Sequence, residues 1–279
     1  MELTGNKPIL PVSVVIPCYK CKQTILRAIR SIVNQTTEPS EVVLVEDCSN
    51  DGTLEYLEGL RKHFPPDWIK VLPLTTNTGP GYARNAGWET ATQPYVAFLD
   101  ADDAWHPEKL QIQYDWMCNN PQAMLVGHAS IQLKRDDAHL VRTDGVLVKR
   151  ISRLQLLLSN ARGGFAIRTA MLHRNLPIRF DPSKRYMEDY WWLLIVVFSN
   201  YKIYKISLPL AYTFKADWGE RGLSGRLWEM EKEELDNYWR LQRMGLIARP
   251  VALIFTIFSL LKFFRRVIIS ATRRHIFRQ

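Results

Sequence analysis

Three carboxylates fall within four positions of this sequence, at Asp100, Asp102 and Asp103. Residues 95–99, directly before them, are apolar and rich in aromatic and β-branched side chains, which predicts a buried strand. Like charges this close repel one another, and burying them without partners would be costly. The cluster is therefore either a solvated acidic turn or a site for a divalent cation, because Mg²⁺ and Mn²⁺ prefer oxygen ligands and often bridge to phosphate.

The elements that must position this cluster alternate along the first part of the chain. We predict strands at 12–16, 41–45, 69–72 and 95–99, and helices at 23–34, 54–62 and 82–90. This alternation predicts an α/β fold, a mostly parallel sheet with helices on both faces. Ligands of such sheets bind beyond the carboxyl ends of the strands. The polar loops after the four strands all lie at that edge, which favours a binding site over a plain acidic turn.

The rest of the chain is predicted to be mixed. Helical spacing indicates helices at about 107–118, 151–158, 187–198 and 228–241, and short apolar runs indicate strands at 124–126, 131–133, 165–172 and 202–206. A hydrophobic content of 47% with 23% charged residues is typical of a globular protein with a substantial core.

The four cysteines, Cys18, Cys21, Cys48 and Cys118, lack the spacing of a zinc site. The first two form a C-x-x-C motif, but it falls in a loop after a predicted strand, which argues against a redox role. Residues 1–7 are polar and the apolar run after them is short, so no signal peptide is predicted. These features favour a cytoplasmic protein with reduced thiols.

The positive charge of the chain is concentrated in its tail. The net charge is +9, and residues 240–279 hold nine Lys and Arg with no Asp or Glu, so the rest of the chain is balanced. These basic residues are confined to an apolar segment without a recognisable nucleic-acid motif. A nucleic-acid-binding protein is therefore disfavoured.

The same tail has the composition of a membrane-surface helix. Residues 251–261 are almost all apolar, but Arg249, Pro250 and Lys262 bracket them, and spanning a bilayer takes about 20 apolar residues. The pattern favours a basic amphipathic helix lying in the interface of an anionic membrane, which would suit a lipid-anchored acceptor. A helix packed on the domain and a contact between copies of the chain are the alternatives.

Five motifs occur in an order and at spacings that resemble the family 2 glycosyltransferases, inverting enzymes with the GT-A fold. They are residues 12–19, residues 45–53, Asn77-x-Gly79 leading into Ala83-Arg84-Asn85, residues 100–103, and Glu188-Asp189. The resemblance covers roughly residues 10–215 and implies a GT-A domain there. Residues 216–279 would add a flexible loop, an amphipathic helix and the basic apolar segment.

The resemblance implies a nucleotide-sugar site that uses the acidic cluster. Asp102 would be the main ligand of a divalent cation, Mn²⁺ or Mg²⁺, and Asp100 would lie near the ribose or the metal. Asp103 would support these two carboxylates. The cation would neutralise the pyrophosphate leaving group as the glycosidic bond breaks.

Further residues of the resemblance would bind the nucleotide. Asp47 would accept a hydrogen bond from the base, expected to be uracil, and Pro17 and Tyr19 would border that base. Glu46 stands where the family usually has aspartate, which leaves its contact open. Arg84 would reach the nucleotide or its phosphates, unless it is only a surface charge of the predicted helix.

The resemblance also assigns the transfer step. Asp189, with Glu188 beside it, would be the general base that deprotonates the acceptor hydroxyl. The alternative is that both acids only stabilise the first turn of a helix, where its dipole favours carboxylates. Lys215 and Arg221 belong to a glycine-rich loop that would close over the donor phosphates, or that merely connects two elements.

The sequence therefore predicts a metal-dependent inverting glycosyltransferase that moves a sugar from a nucleotide-diphosphate donor, expected to be a UDP-sugar, to a saccharide acceptor. A lipid-linked acceptor in cell-surface polysaccharide or lipopolysaccharide synthesis fits the tail, as does a position at the inner face of the cytoplasmic membrane. A polyprenyl-phosphate sugar synthase of the same fold and a noncatalytic membrane scaffold are the competing hypotheses.

Overall fold

The computed structural model of the chain describes residues 7–133, 146–159, 164–214 and 227–276. Its strands are β1 (Ile9–Cys18), β2 (Glu38–Glu46), β3 (Ile69–Pro73), β4 (Tyr95–Phe98), β5 (Ala104–Trp105), β6 (Leu125–Gln132), β7 (Val148–Arg150), β8 (Met171–His173) and β9 (Ile203–Thr213). Its α-helices are α1 (Ile25–Val33), α2 (Thr53–Arg61), α3 (Pro80–Thr90), α4 (Lys109–Cys118), α5 (Arg153–Ser159), α6 (Glu188–Phe198), α7 (Leu227–Arg243) and α8 (Arg249–Ile276). A short 3₁₀ helix covers Ile167–Thr169.

Within the described residues, the strands form one sheet in the order β3-β2-β1-β4-β8-β6-β9-β5, with β7 paired to β9. The half that contains β3, β2, β1 and β4 is parallel, as the alternating sequence pattern predicts. The other half is mixed: β8 is antiparallel to both β4 and β6, and β5 and β7 are antiparallel to β9. The half from β3 to β4 is the parallel sheet that the sequence predicts, and in the second half one pair, β6 and β9, is also parallel.

Helices cover both faces of the sheet and create two hydrophobic cores. Alternate residues of β1 face opposite sides, so Val14 and Ile16 pack in the core beneath α1 and α2, whereas Val15 packs in the core beneath α3 and α6. Strands that are buried on both faces must be apolar at almost every position. This explains why the first strands appear in the sequence as nearly unbroken apolar runs.

One glycine of α3 permits the close packing of that helix on the sheet. A Cβ atom at Gly87 would lie 2.4 Å from Val15 Cγ1 and 2.8 Å from Val45 Cγ2. Both distances are below normal van der Waals contact, so no larger residue fits without a shift of the helix. The approach brings the first turn of α3 to the carboxyl edge of the parallel strands.

Two predicted features of the second half differ from the structure. The sequence predicts separate strands at 124–126 and 131–133, but most of both belong to the single strand β6. In the fold Gly127, inside β6, makes room for the ring of Phe165, whose Cγ would lie 2.0 Å from a Cβ atom at position 127. The sequence also predicts a strand at 165–172, where the 3₁₀ helix precedes the short β8.

The last two helices pack against the rest of the fold. Tyr238 and Leu241 of α7 and Phe255 of α8 are buried in the same core as α3 and α6. Ser259 Oγ of α8 lies within hydrogen-bond distance of two carboxylates of α7, 2.8 Å from Glu231 Oε1 and 2.6 Å from Glu234 Oε1. One face of α8 is therefore packed on the domain, which is one of the alternatives that the sequence left open for this segment. Among the described helices, none combines the length and the apolar content needed to cross a membrane.

Candidate active site

The carboxyl edge of the parallel strands brings Asp47 to the turn that begins α3. The Asp47 carboxylate accepts hydrogen bonds from Asn77 Nδ2 (3.0 Å), Thr78 N (2.8 Å), Thr78 Oγ1 (3.0 Å) and Gly79 N (2.9 Å). Gly79 has a φ of +88°, a conformation that favours glycine. Asp47 therefore shapes the turn, and its expected contact with a base stays a prediction.

The residues expected around the base lie at the same edge. Asp47 N donates to Cys18 O at 2.8 Å, which places Pro17 and the exposed Tyr19 beside the Asp47 turn. Glu46 is buried, and its Oε1 accepts a hydrogen bond of 2.8 Å from Ser49 N. The Glu46 carboxylate therefore has a partner within its own loop, and its contact with a ligand stays open.

The three acids after β4 have different surroundings. Asp100 and Asp102 are partly exposed, whereas Asp103 is buried. Asp103 Oδ2 lies 3.2 Å from Arg168 Nε, and Arg27 Nη2 donates to the backbone oxygen of Asp102 at 2.8 Å. Burial raises the pKa of Asp103 to about 7, against the lowering effect of Arg168 and with the further raising effect of its two acidic neighbours. The loop is thus held by two arginines that no sequence motif indicated.

Arg84 of α3 joins the acidic loop to the acid pair at the start of α6. It is buried, with Nη2 2.8 Å from Asp100 Oδ1 and Nη1 3.1 Å from Glu188 Oε1. Burial alone would lower its pKa, but Asp100 and Glu188 outweigh burial and the pKa is raised. The alternative of a surface charge is therefore wrong for Arg84. The guanidinium is engaged by carboxylates, so a contact with phosphates stays a prediction.

Glu188 and Asp189 form the first turn of α6, as the sequence predicts. Met187, before them, has a φ of +53°, so the chain turns sharply into the helix. Burial raises the pKa of Glu188 to about 7, with a further rise from Asp189 and an opposing effect of Arg84. Burial also raises the pKa of Asp189, against the effect of Arg84. A carboxylate with a raised pKa is a better proton acceptor, as a general base requires.

The segment before the acid pair is clamped to α7. Lys184 is buried, and its Nζ lies 2.5 Å from Glu233 and 3.1 Å from Asp236 of α7. Arg240 of the same helix lies 2.8 Å from Asp181. These ion pairs keep the start of α6 in place relative to the rest of the fold.

A cleft of about 300 Å³ opens over these groups. It brings together four residues expected from the sequence, Arg84, Asp100, Glu188 and Asp189. Its other lining residues are Pro80, Ala166, Ile167, Arg168, Arg185, Tyr186, Met187 and Met230. The remaining expected residues with described positions, Pro17, Tyr19, Glu46, Asp47 and Asp102, do not line this cleft. Lys215 and Arg221 lie outside the described residues.

The fit of a divalent cation depends on Asp100 and Asp102. In the part of the chain that the structure describes, no group of three or more His, Cys, Asp or Glu side chains is arranged to hold a metal ion. Asp103 is buried against Arg168, so the carboxylates expected to hold the ion are Asp102 and Asp100, of which Asp100 also contacts Arg84. Mg²⁺ commonly takes one or two carboxylates and completes its shell with phosphate oxygens and water. The donor set therefore fits such an ion when it arrives with a diphosphate.

Comparison with known sequences decides the family. The sequence model described as Glycosyl transferase family 2 matches residues 13–188, more than half of the chain. The chain is a family 2 glycosyltransferase. This glycosyltransferase is accordingly an enzyme that transfers a sugar. The family model covers the motifs from residue 13 to Glu188 and ends one residue before Asp189.

Two curated relatives are similar over different lengths. TuaG of Bacillus subtilis, which is named for teichuronic acid biosynthesis, is 38% identical over 115 residues, 41% of this chain and 44% of TuaG. The glycosyltransferase thus matches less than half the length of that relative. WfgD of Escherichia coli is named as a UDP-Glc:α-D-GlcNAc-diphosphoundecaprenol β-1,3-glucosyltransferase and is 29% identical over 195 residues, 68% of this chain and 72% of WfgD.

A solved structure shares the fold. The mannosyltransferase PcManGT of Pyrobaculum calidifontis, solved with GDP-Man and Mn²⁺, aligns with a TM-score of 0.62 at 18% identity. The alignment covers 97% of this glycosyltransferase and 80% of PcManGT. The architecture is therefore that of the GT-A glycosyltransferases, as the sequence predicts.

Proposed function

We propose that this glycosyltransferase transfers a sugar from a UDP-sugar to a lipid-linked saccharide acceptor in the synthesis of a cell-surface polysaccharide, with inversion at the anomeric carbon. The observation that carries the proposal is the contact of Arg84 with both Asp100 and Glu188. It joins the acids expected to handle the donor to those expected to handle the acceptor. The donor and the acceptor named for WfgD support the choice of substrates.

The proposed step is a direct displacement. Asp189 accepts the proton of the acceptor hydroxyl, the hydroxyl oxygen forms a bond to the anomeric carbon, and the bond from that carbon to the diphosphate oxygen breaks. The electron pair of the broken bond leaves with the nucleoside diphosphate. Attack from the face opposite the leaving group inverts the configuration, so an α-linked donor yields a β-linked product.

Neighbouring residues would prepare this step. Glu188 and Asp100 hold Arg84, so the general base Asp189 lies beside a fixed positive charge. Asp102, with Asp100, would hold Mn²⁺ or Mg²⁺, an ion that neutralises charge on the leaving diphosphate when bound. The Mn²⁺ of PcManGT supports this assignment. Asp47, Pro17 and Tyr19 are proposed to contact the uracil ring of the donor.

We also propose that residues 10–215 form the catalytic GT-A domain and that the later residues attach it to the cytoplasmic face of the membrane. Five apolar side chains of α8 are at least half exposed: Leu253, Ile254, Ile257, Leu261 and Phe264. Ile254, Ile257, Leu261 and Phe264 are spaced by three or four residues and therefore share one side of the helix. Lys262 is paired with Glu234 of α7, but the exposed Arg265 adds positive charge near this side, so an anionic lipid surface fits it.

A thermal-shift screen of nucleotide sugars with and without Mn²⁺ tests the proposal, followed by transfer assays with the donor it identifies. We expect a UDP-sugar with Mn²⁺ to raise the melting temperature of the wild type and of Asp189→Asn alike. The substitution should reduce transfer by about a thousandfold or more, because it removes the base and leaves the donor site. Full transfer by Asp189→Asn, or no stabilisation by any nucleotide with metal, would contradict the mechanism.

A further inference from the structure

One arginine of the cleft has a role that no motif assigns. Arg84 is paired with two carboxylates and Arg168 with Asp103. Arg185 also lines the cleft and is exposed, and its described partner is a neutral amide: Nη2 donates to Asn77 Oδ1 at 3.2 Å. Among the cleft arginines that the structure describes, it is the one without an acidic partner.

The backbone that carries Arg185 is held from both directions. Lys184, the preceding residue, is buried in its ion pairs with α7, and Met187 begins the sharp turn into α6. The other end of the side chain is held by Asn77, whose Nδ2 donates to Asp47 O and Oδ2. A cation fixed in this way loses little freedom when it binds an anion, which favours affinity.

The position of Arg185 matches the chemistry of a diphosphate. Its guanidinium bridges the Asn77 turn, on the nucleotide side, and the segment that leads to Asp189, on the transfer side. The diphosphate of a nucleotide sugar joins these same two parts of the ligand. A guanidinium has five N–H donors in a planar fork and binds phosphate oxygens in pairs, and Asn77 accepts from one of them.

We propose that Arg185 is a substrate-binding residue that contacts the diphosphate of the donor. The inference rests on the proposed function, because it requires a nucleoside-diphosphate donor in this cleft. It adds a contact beyond those expected from the family motifs. It also gives the leaving group a positive partner supplied by the fold.

The test compares ligands that differ in phosphate. Affinities of UDP and uridine, each with Mn²⁺, are measured by calorimetry for the wild type, Arg185→Gln, Arg185→Lys and the control Arg61→Gln. Arg61 is a distant arginine of α2, exposed and paired with Glu58. We expect Arg185→Gln to weaken UDP binding by roughly tenfold to a hundredfold and uridine binding by less than about threefold. Arg185→Lys should recover part of the loss, and Arg61→Gln should bind as the wild type does.

The possible results distinguish an error in the role of Arg185 from an error in the proposed function. Equal weakening of UDP and uridine would mean that Arg185 acts only by holding Asn77, and the inference would be wrong. Unchanged UDP binding in Arg185→Gln would overturn the inference alone. Failure of the wild type to bind UDP with Mn²⁺ would overturn the proposed function and this inference with it.

Discussion

Arg84 Nη1 lies 3.1 Å from Glu188 Oε1, although the two residues are separated by 104 positions in the chain. Because the other arm of the same guanidinium holds Asp100, a single buried cation links the acidic loop after β4 to the first turn of α6. Both links lie in the cleft, so the geometry of the donor side and that of the transfer side depend on one residue.

Removing this cation should damage both stability and activity. We expect Arg84→Gln to lower the free energy of unfolding by about 3 kcal/mol, because it leaves the buried Glu188 carboxylate without its charged partner. Sugar transfer should fall by about a hundredfold or more, since Asp100 and Glu188 lose their common anchor. Urea denaturation and a transfer assay measure the two effects. Arg61→Gln should change the unfolding free energy by less than about 0.5 kcal/mol; equal effects of the two substitutions would contradict the assigned role.

The stability of Glu188→Gln relative to the wild type should depend on pH. The folded pKa of Glu188 is about 7, above its ordinary value of 4.5, so its proton stabilises the fold at low pH and this contribution is lost as pH rises through 7. The variant has no such proton. We expect the unfolding free energy of the variant minus that of the wild type to rise by about 2 kcal/mol between about pH 5 and pH 8. Urea titrations at each pH measure this difference. Glu58→Gln, at an exposed ion pair, is the control and should show no such trend. A difference that is constant with pH would refute the raised pKa.

The dependence of sugar transfer on a divalent cation should change when Asp102 is substituted. Removal of metal with EDTA should abolish transfer and Mn²⁺ should restore it. In Asp102→Asn we expect the Mn²⁺ concentration for half-maximal activity to rise by about tenfold or more, because an amide is a weaker ligand than a carboxylate. Asp115→Asn, at an exposed position of α4, should keep the wild-type requirement. Full activity in EDTA would remove the metal from the mechanism.

Vesicle binding should depend on the exposed apolar side of α8. We expect the double variant Ile257→Ser, Leu261→Ser to bind vesicles of phosphatidylcholine with about 30% phosphatidylglycerol about a hundredfold more weakly, since each buried side chain contributes about 1.5–3 kcal/mol. Co-sedimentation measures the binding. Leu154→Ser, at an exposed position of α5, should not change it. If the double variant binds vesicles normally and instead separates a dimer into monomers, the surface is a contact between copies of the chain.

Two glycines should respond to alanine with opposite signs. Gly87→Ala places a methyl group 2.4 Å from Val15 Cγ1, and we expect a loss of about 1–3 kcal/mol of unfolding free energy from overpacking. At Gly59, within α2, a Cβ atom would meet no atom of the described residues within 4 Å. Gly59→Ala should therefore gain about 0.5–1 kcal/mol from reduced freedom of the unfolded chain. Urea denaturation measures both, and a neutral Gly87→Ala would show that α3 does not need the close approach.

The parallel half of the fold could be predicted from the sequence because its signals are local. Strands buried on both faces must be apolar throughout, and each ends in a polar turn such as the one at Asp47 or Asp100. The order of these motifs was sufficient to identify the family, which the match over residues 13–188 confirms. The second half could be predicted less well: two short strands are predicted where the fold has the single strand β6, and Gly127 in that strand accommodates the ring of Phe165, a contact between distant residues.

The partners of the cleft residues could not be predicted in this way. The motif placed Arg84 at the site but did not indicate its carboxylate partners. Lys184 and Arg185 are adjacent cations, but Lys184 is buried against α7 and Arg185 is exposed in the cleft. Their contacts join positions about 50 to 100 residues apart and exist only because α6 and α7 pack on the sheet. The types and order of the chemical groups are local properties of the chain, whereas the pairing of charges depends on distances that folding alone creates.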